Sequence, residues 1–131
     1  MGTWGTRNFE NDGSQDWIFE MMENNDGGLV ADTLQFTVNK ETGLNASECE
    51  EALAAAEVVA ALAGHASEDF PEDPLENLDS LQLLAAPALK KLAVAATEKI
   101  KNASELREQW SEAGDLEGWV AILEDLQKRL G

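Results

Sequence analysis

Residues 52–63 read Ala-Leu-Ala-Ala-Ala-Glu-Val-Val-Ala-Ala-Leu-Ala, eleven apolar side chains interrupted only by Glu57. A helix that is apolar on every side has no face to give to water, so other elements must surround it. Alanine lets those neighbours approach closely. Ser47 followed by Glu50 has the spacing of a capping box, which predicts a helix over residues 48–63 ended by Gly64. The rest of the chain must then supply the shell around it.

The flanking segments repeat their apolar residues at helical spacing. Asp12 or Ser14 caps a helix through residue 25 with Trp17, Ile18, Met21 and Met22 inward, and the run from Asn25 to Gly28 is a turn. A second helix covers 29–39, with Leu29, Val30, Thr33, Leu34, Thr37 and Val38 as its stripe. Phe36-Thr37-Val38 has strand-like composition, but no second strand exists to pair with it. Pro71 and Pro74 break residues 65–80 into a surface loop and a short helix over 74–84. Pro87 opens a helix over 88–101, Ser104 or Asn102 caps one to 112, and Asp115 caps the last, 116–130. The expectation is an all-α, compact single-domain bundle of about six helices over residues 1–131. The alanine-rich helix is its centre and residues 1–11 form an ordered N-terminal loop.

Charge narrows the partners. Nine Lys and Arg face 26 Asp and Glu, a net −17. Such a surface repels nucleic acid and anionic membranes and attracts a basic protein. High net charge also serves solubility alone. The acids are unevenly placed: residues 1–80 contain 18 of them and only Arg7 and Lys40 as bases. The densest run, Glu68, Asp69, Glu72, Asp73, Glu76 and Asp79, is the expected partner surface. A single cysteine, Cys49, excludes an intrachain disulfide and suits a reducing cytoplasm. It falls in an apolar helical pattern and is expected in the core. No signal peptide is visible and the most apolar run is too short to span a bilayer, so a cytoplasmic location is expected.

Four local patterns have simpler explanations. Met1-Gly2 with Thr6 fits a myristoylation pattern, but the acidic chain behind it opposes an anionic membrane. Asn45-Ala46-Ser47 and Asn102-Ala103-Ser104 fit glycosylation sequons, yet both stand where helices begin and act as caps. Residues 8–19 have Asn8 and Phe19 at the positions where a calcium loop needs acids.

Catalytic sets are sparse. The chain has one histidine, His65, and no tyrosine. His65 and Cys49 are too few for a zinc site, no glycine-rich loop follows a strand, and no basic patch interleaves with aromatics. No catalytic residue, metal or cofactor is expected, although the many carboxylates leave acid/base or magnesium chemistry open. Two features exceed this background. The segment Trp4, Gly5, Phe9, Asn11, Asp12, Asp16 and Trp17 combines apolar anchors with helix-capping polar groups. It is either a docking loop or, as we favour, a plug for the domain's own bundle. Glu57 is either buried, requiring a hydrogen-bonding partner such as a Trp indole, Arg7 or a backbone amide of that loop, or it shares a narrow solvent-facing stripe with Glu50.

The pattern Trp4-Gly5-x-x-x-Phe9-x-Asn11-Asp12-x-x-x-Asp16-Trp17, the run from Glu51 to Leu62 and the run from Ser104 to Trp110 resemble, in that order, three blocks of bacterial domain-of-unknown-function family 4259. Two positions depart: Arg7 stands where the family has glycine, and Ser14 where it has alanine. Arg7 takes a positive φ less freely than glycine, which would alter the loop or offer a partner to an acid. The resemblance implies one bacterial cytoplasmic domain and brings no activity, cofactor or site residue. The functional expectation is therefore a protein-binding module, immunity-like or regulatory. The alternatives are a carboxylate- or metal-dependent enzyme working through Asp12, Asp16 or Glu57, and an assembly module using Trp110 or Trp119.

Overall fold

In the computed structural model the described residues are 5–25, 27–41, 43–81 and 86–131. They form seven α-helices and one 3-10 turn, without a strand: α1 Asp12–Glu23, α2 Gly28–Asn39, α3 Ala46–Leu62, α4 Glu72–Glu76, the 3-10 turn Leu78–Leu81, α5 Pro87–Asn102, α6 Glu105–Glu112 and α7 Leu116–Leu130. Helix α3 packs against α1, α2, α5, α6 and α7. Every residue from Ala52 to Ala60 on it is buried. An all-round apolar helix has become the axis of the bundle, as its sequence requires.

The shell helices each turn one stripe inward. Trp17, Ile18 and Met21 of α1, Val30, Leu34 and Thr37 of α2, Ala93, Ala96, Thr97 and Ile100 of α5, and Trp119, Leu123, Leu126 and Leu130 of α7 are buried. Thr37 and Thr97 satisfy their hydroxyls on the carbonyls of Thr33 and Ala93, one turn back. Residues 36–38 are helical, leaving Phe36 exposed and Thr37 inward. Helices α2 and α5 are joined at their C-terminal turns. The Lys99 ammonium donates to the carbonyls of Thr37, Val38 and Lys40, supplying donors and positive charge to the C-terminus of α2.

Three boundaries differ from the sequence reading. Asn45, not Ser47, caps α3: its side chain accepts from the Glu48 amide, and the Glu48 carboxylate accepts from the Asn45 amide. Asn11, rather than Asp12 or Ser14, caps α1 by accepting from the Ser14 amide at 2.8 Å. Helix α4 begins two residues before Pro74 and is only five residues long. Proline is compatible with a first helical turn, where its missing N–H has no acceptor to lose. Part of the helix expected over 74–84 lies outside the described residues. Gly64 closes α3 at φ +90°, a conformation that costs a residue with a Cβ.

Candidate functional site

Glu57 sits midway along α3 and is 1% exposed. A carboxylate so placed needs both a counter-charge and hydrogen-bond donors. Both come from the far end of the chain. Arg129, in the last turn of α7, presents a two-pronged contact: Nη1 to Oε1 at 2.8 Å and Nη2 to Oε2 at 3.0 Å. The same guanidinium donates through Nε to Asp125 at 2.8 Å and through Nη1 to the His65 carbonyl at 3.1 Å. His65 Nδ1 in turn lies 2.9 Å from the Arg129 carbonyl. The third donor to Glu57 is Asn8 Nδ2 at 2.7 Å, from the N-terminal loop. One buried acid thus ties the loop, the central helix and the terminal helix together.

The loop is held at further points. Phe9 is buried and meets Phe70 edge to face, with ring centroids 5.0 Å apart. Its amide donates to Asp69 Oδ2 at 2.9 Å, and its carbonyl accepts from Gln15. Asn11 Nδ2 closes back on the Asn8 carbonyl while its oxygen caps α1. Arg7 does not adopt a positive φ. Its amide and carbonyl form a turn with Glu10, and its side chain lies 3.8 Å from Glu68 at the surface.

These positions separate the members of the N-terminal motif. Phe9, Asn11 and Trp17 are buried structural members, with Trp17 Nε1 3.3 Å from the Thr33 hydroxyl. Gly5 is half-buried beside Glu10, whereas Asp12 and Asp16 are exposed on α1. Trp4 lies outside the described residues. Among the described residues, none of the three partners considered for Glu57 is used. Arg7 pairs with Glu68, and the loop contributes the Asn8 side chain instead of a backbone amide. Glu57 also shares no solvent stripe with Glu50, which is half-buried near Asp12. Burial, then Asp12 and Glu51, push the Glu50 carboxyl above its ordinary range.

A cavity of about 320 Å³ opens beside the cluster, lined by Arg7, Glu57, Ser67, Glu68, Asp69, Asp125, Arg129 and neighbouring apolar atoms. Its charges are already engaged, Arg7 with Glu68, Arg129 with Glu57 and Asp125, and Asp69 with the Phe9 amide. Asp12 and Asp16 are absent from it, so the carboxylates suggested for enzymology are not assembled there. Among the described residues no group of three or more His, Cys, Asp and Glu side chains is arranged to hold a metal ion, and no helix is long and apolar enough to cross a membrane. Cys49 is buried, and burial raises its thiol to about 11.

The expected partner surface divides in the same way. Asp69 is committed to the Phe9 amide and Glu68 to Arg7. Glu72, Asp73, Glu76 and Asp79 are exposed, and among the described residues none of them is within ion-pair distance of a base. Glu20 and Glu23 of neighbouring α1 are in the same condition. The sequence reading missed Asn8, Asp125 and Arg129, and it missed Phe19, which is 46% exposed on α1. Two signals were present: Asp125 and Arg129 are spaced i,i+4, and Phe19 falls off the stripe of Trp17, Ile18, Met21 and Met22.

A family model described as Domain of unknown function (DUF4259) matches residues 2–121. No curated protein and no solved structure matches the chain.

Proposed function

The chain belongs to this family of unknown function, and we propose that it is a protein-binding module, immunity-like or regulatory, that docks a basic protein on the acidic side formed by α1 and α4. The observation that carries this reading is the contrast between its acids. The buried Glu57 is fully matched inside the fold, whereas Glu20, Glu23, Glu72, Asp73, Glu76 and Asp79 project without a counter-charge among the described residues. Unmatched like charges raise the energy of the isolated molecule and accelerate encounter with an oppositely charged partner. The reading treats the chain as one domain, with the N-terminal loop as an internal latch. It places the protein in the cytoplasm, in keeping with a free, buried Cys49.

The test is retention of cellular proteins on the immobilised chain at low and at high salt, with identification of what is retained. The expected result is a basic protein released by salt and not retained by a variant with Glu72→Gln, Asp73→Asn and Glu76→Gln together. Salt-independent retention, or equal retention by the variant, would defeat the electrostatic reading.

A further inference from the structure

We propose that the groove between α1 and α4 is the docking site itself, and that it takes an amphipathic basic helix of the partner, with Phe19 as the apolar anchor. This rests on the protein-binding reading above and goes beyond it by naming the seat and the shape of the ligand. The groove encloses about 420 Å³ and is lined by Phe19, Met22 and Glu23 of α1, by Asp73, Pro74 and Asn77 at α4, and by Ser80. Its floor is apolar and its rim is acidic. The two walls meet where the Ser80 hydroxyl, which donates to the Asn77 carbonyl at 2.7 Å, lies 3.3 Å from Asn25 Oδ1 just beyond the end of α1.

Three observations select this occupant. Phe19 is a large apolar side chain left 46% exposed, off the stripe on which Trp17, Ile18 and Met21 of α1 are buried. Aromatic anchors of this kind carry a large share of interface energy when a partner covers them. Phe36, the other exposed phenylalanine, already has the Lys40 ammonium 5.8 Å from its ring. Second, α1 has no base in its last turn and ends with Glu20 and Glu23, where the helix dipole is also negative. A cation placed there meets both the carboxylates and the negative end of the helix dipole. Third, the rim has no base of its own among the described residues, because neither Lys nor Arg lines the groove. A helix carrying apolar residues at i, i+3, i+4 and i+7 with lysines beside them matches both floor and rim.

The probe is a labelled helical peptide of leucine and lysine with that spacing, compared with a scrambled peptide of identical composition. Affinity is measured at low salt, and amide shifts of the protein locate the contact. The expected result is shifts concentrated at Phe19, Met22, Glu23, Asp73, Asn77 and Ser80. Binding should be about tenfold weaker for the scrambled peptide and about tenfold weaker for Phe19→Ala. An unchanged circular dichroism spectrum and melting temperature would certify that variant as folded. Glu23→Gln with Asp73→Asn should also weaken binding while the order of the two peptides is kept. If both peptides bind equally, salt-sensitively, and without regard to Phe19, the groove is refuted and the acidic binding module stands. If neither peptide binds at low salt, both readings fall. If the free chain dimerises and Phe19→Ala abolishes the dimer, the occupant is a second copy and the present assignment is wrong.

Discussion

Replacing Arg129 with methionine should be the most damaging single change near the surface of this protein. Methionine keeps much of the aliphatic length but removes the guanidinium. Glu57 then keeps one donor, Asn8 at 2.7 Å, and loses two charged contacts at 2.8 and 3.0 Å. Breaking a buried pair by deleting one partner costs about 3–5 kcal/mol, because the remaining charge is left desolvated. The Arg129 side chain is 18% exposed and a cavity opens beside it, so water can partly replace it. The lower end, about 3 kcal/mol, is therefore expected. At roughly 3–4 °C per kcal/mol for a chain of this size, the melting temperature should fall by about 10 °C.

The assay is urea unfolding of four proteins: the parent, Arg129→Met, Glu57→Leu and the double variant. Arg129→Met strands the buried Glu57 charge, and Glu57→Leu leaves Arg129 with only Asp125 and the His65 carbonyl, but the double variant leaves neither charge at this buried contact. The double variant should be more stable than the sum of the two losses predicts, by about 1–3 kcal/mol, and more stable than Arg129→Met itself. Hydrogen exchange on Arg129→Met should also show the amides of residues 8–11 opening more readily, since the loop shares the carboxylate through Asn8. Additive losses, or a cost below about 1 kcal/mol for Arg129→Met, would show that Glu57 is not the joint described above.

Three further outcomes follow from individual residues. Asn45→Ala should cost about 1 kcal/mol in urea unfolding, while Ser47→Ala should change stability by no more than a few tenths, because Asn45 holds the cap. The Cys49 thiol, raised to about 11 by burial, should stay unmodified by a thiol reagent at neutral pH and react only at the rate of unfolding or local opening. Glu50→Gln should raise the melting temperature at neutral pH. Its carboxyl is pushed up by burial, so the folded state binds the proton more tightly than the unfolded state. That contribution is present in acid and lost as pH rises through the folded value, and the benefit of the substitution should vanish at acid pH.

Periodicity carried the helices because each shell segment has one inward stripe. The last helix, 116–130, was readable to its end residues, since Leu116, Trp119, Leu123, Leu126 and Leu130 share a face and Gly114 precedes it. Caps were less legible. Asn45, Ala46 and Ser47 stand in a row, and which side chain reaches an amide depends on a backbone turn that local composition does not specify. The same ambiguity moved the α1 cap from Asp12 or Ser14 to Asn11. The partner of Glu57 was hidden for a different reason. Arg129 is 72 residues away and looks like an ordinary cation at a helix end, where its sign suits the dipole. Only the packing of α7 along α3 turns that surface role into a buried one. Phe19 was hidden by averaging, because a helix with four well-placed apolar residues looks complete without asking where a fifth one points.

The chain therefore contains two electrostatic regimes, and salt should separate them. The Glu57–Arg129 contact is buried and changes little with ionic strength. The acids of α1 and α4 are exposed, and a net −17 makes them repel one another through solvent. Added sodium chloride screens that repulsion, so the melting temperature should rise with salt even as affinity for a basic peptide falls. Opposite signs for stability and binding in one titration are a demanding outcome. If exposed ion pairs such as Arg7–Glu68 contributed more to the fold than self-repulsion removes, salt would lower the melting temperature and binding together. That parallel decline would mean the acids serve the fold, and the case for an unmatched docking face on α1 and α4 would lose its physical basis.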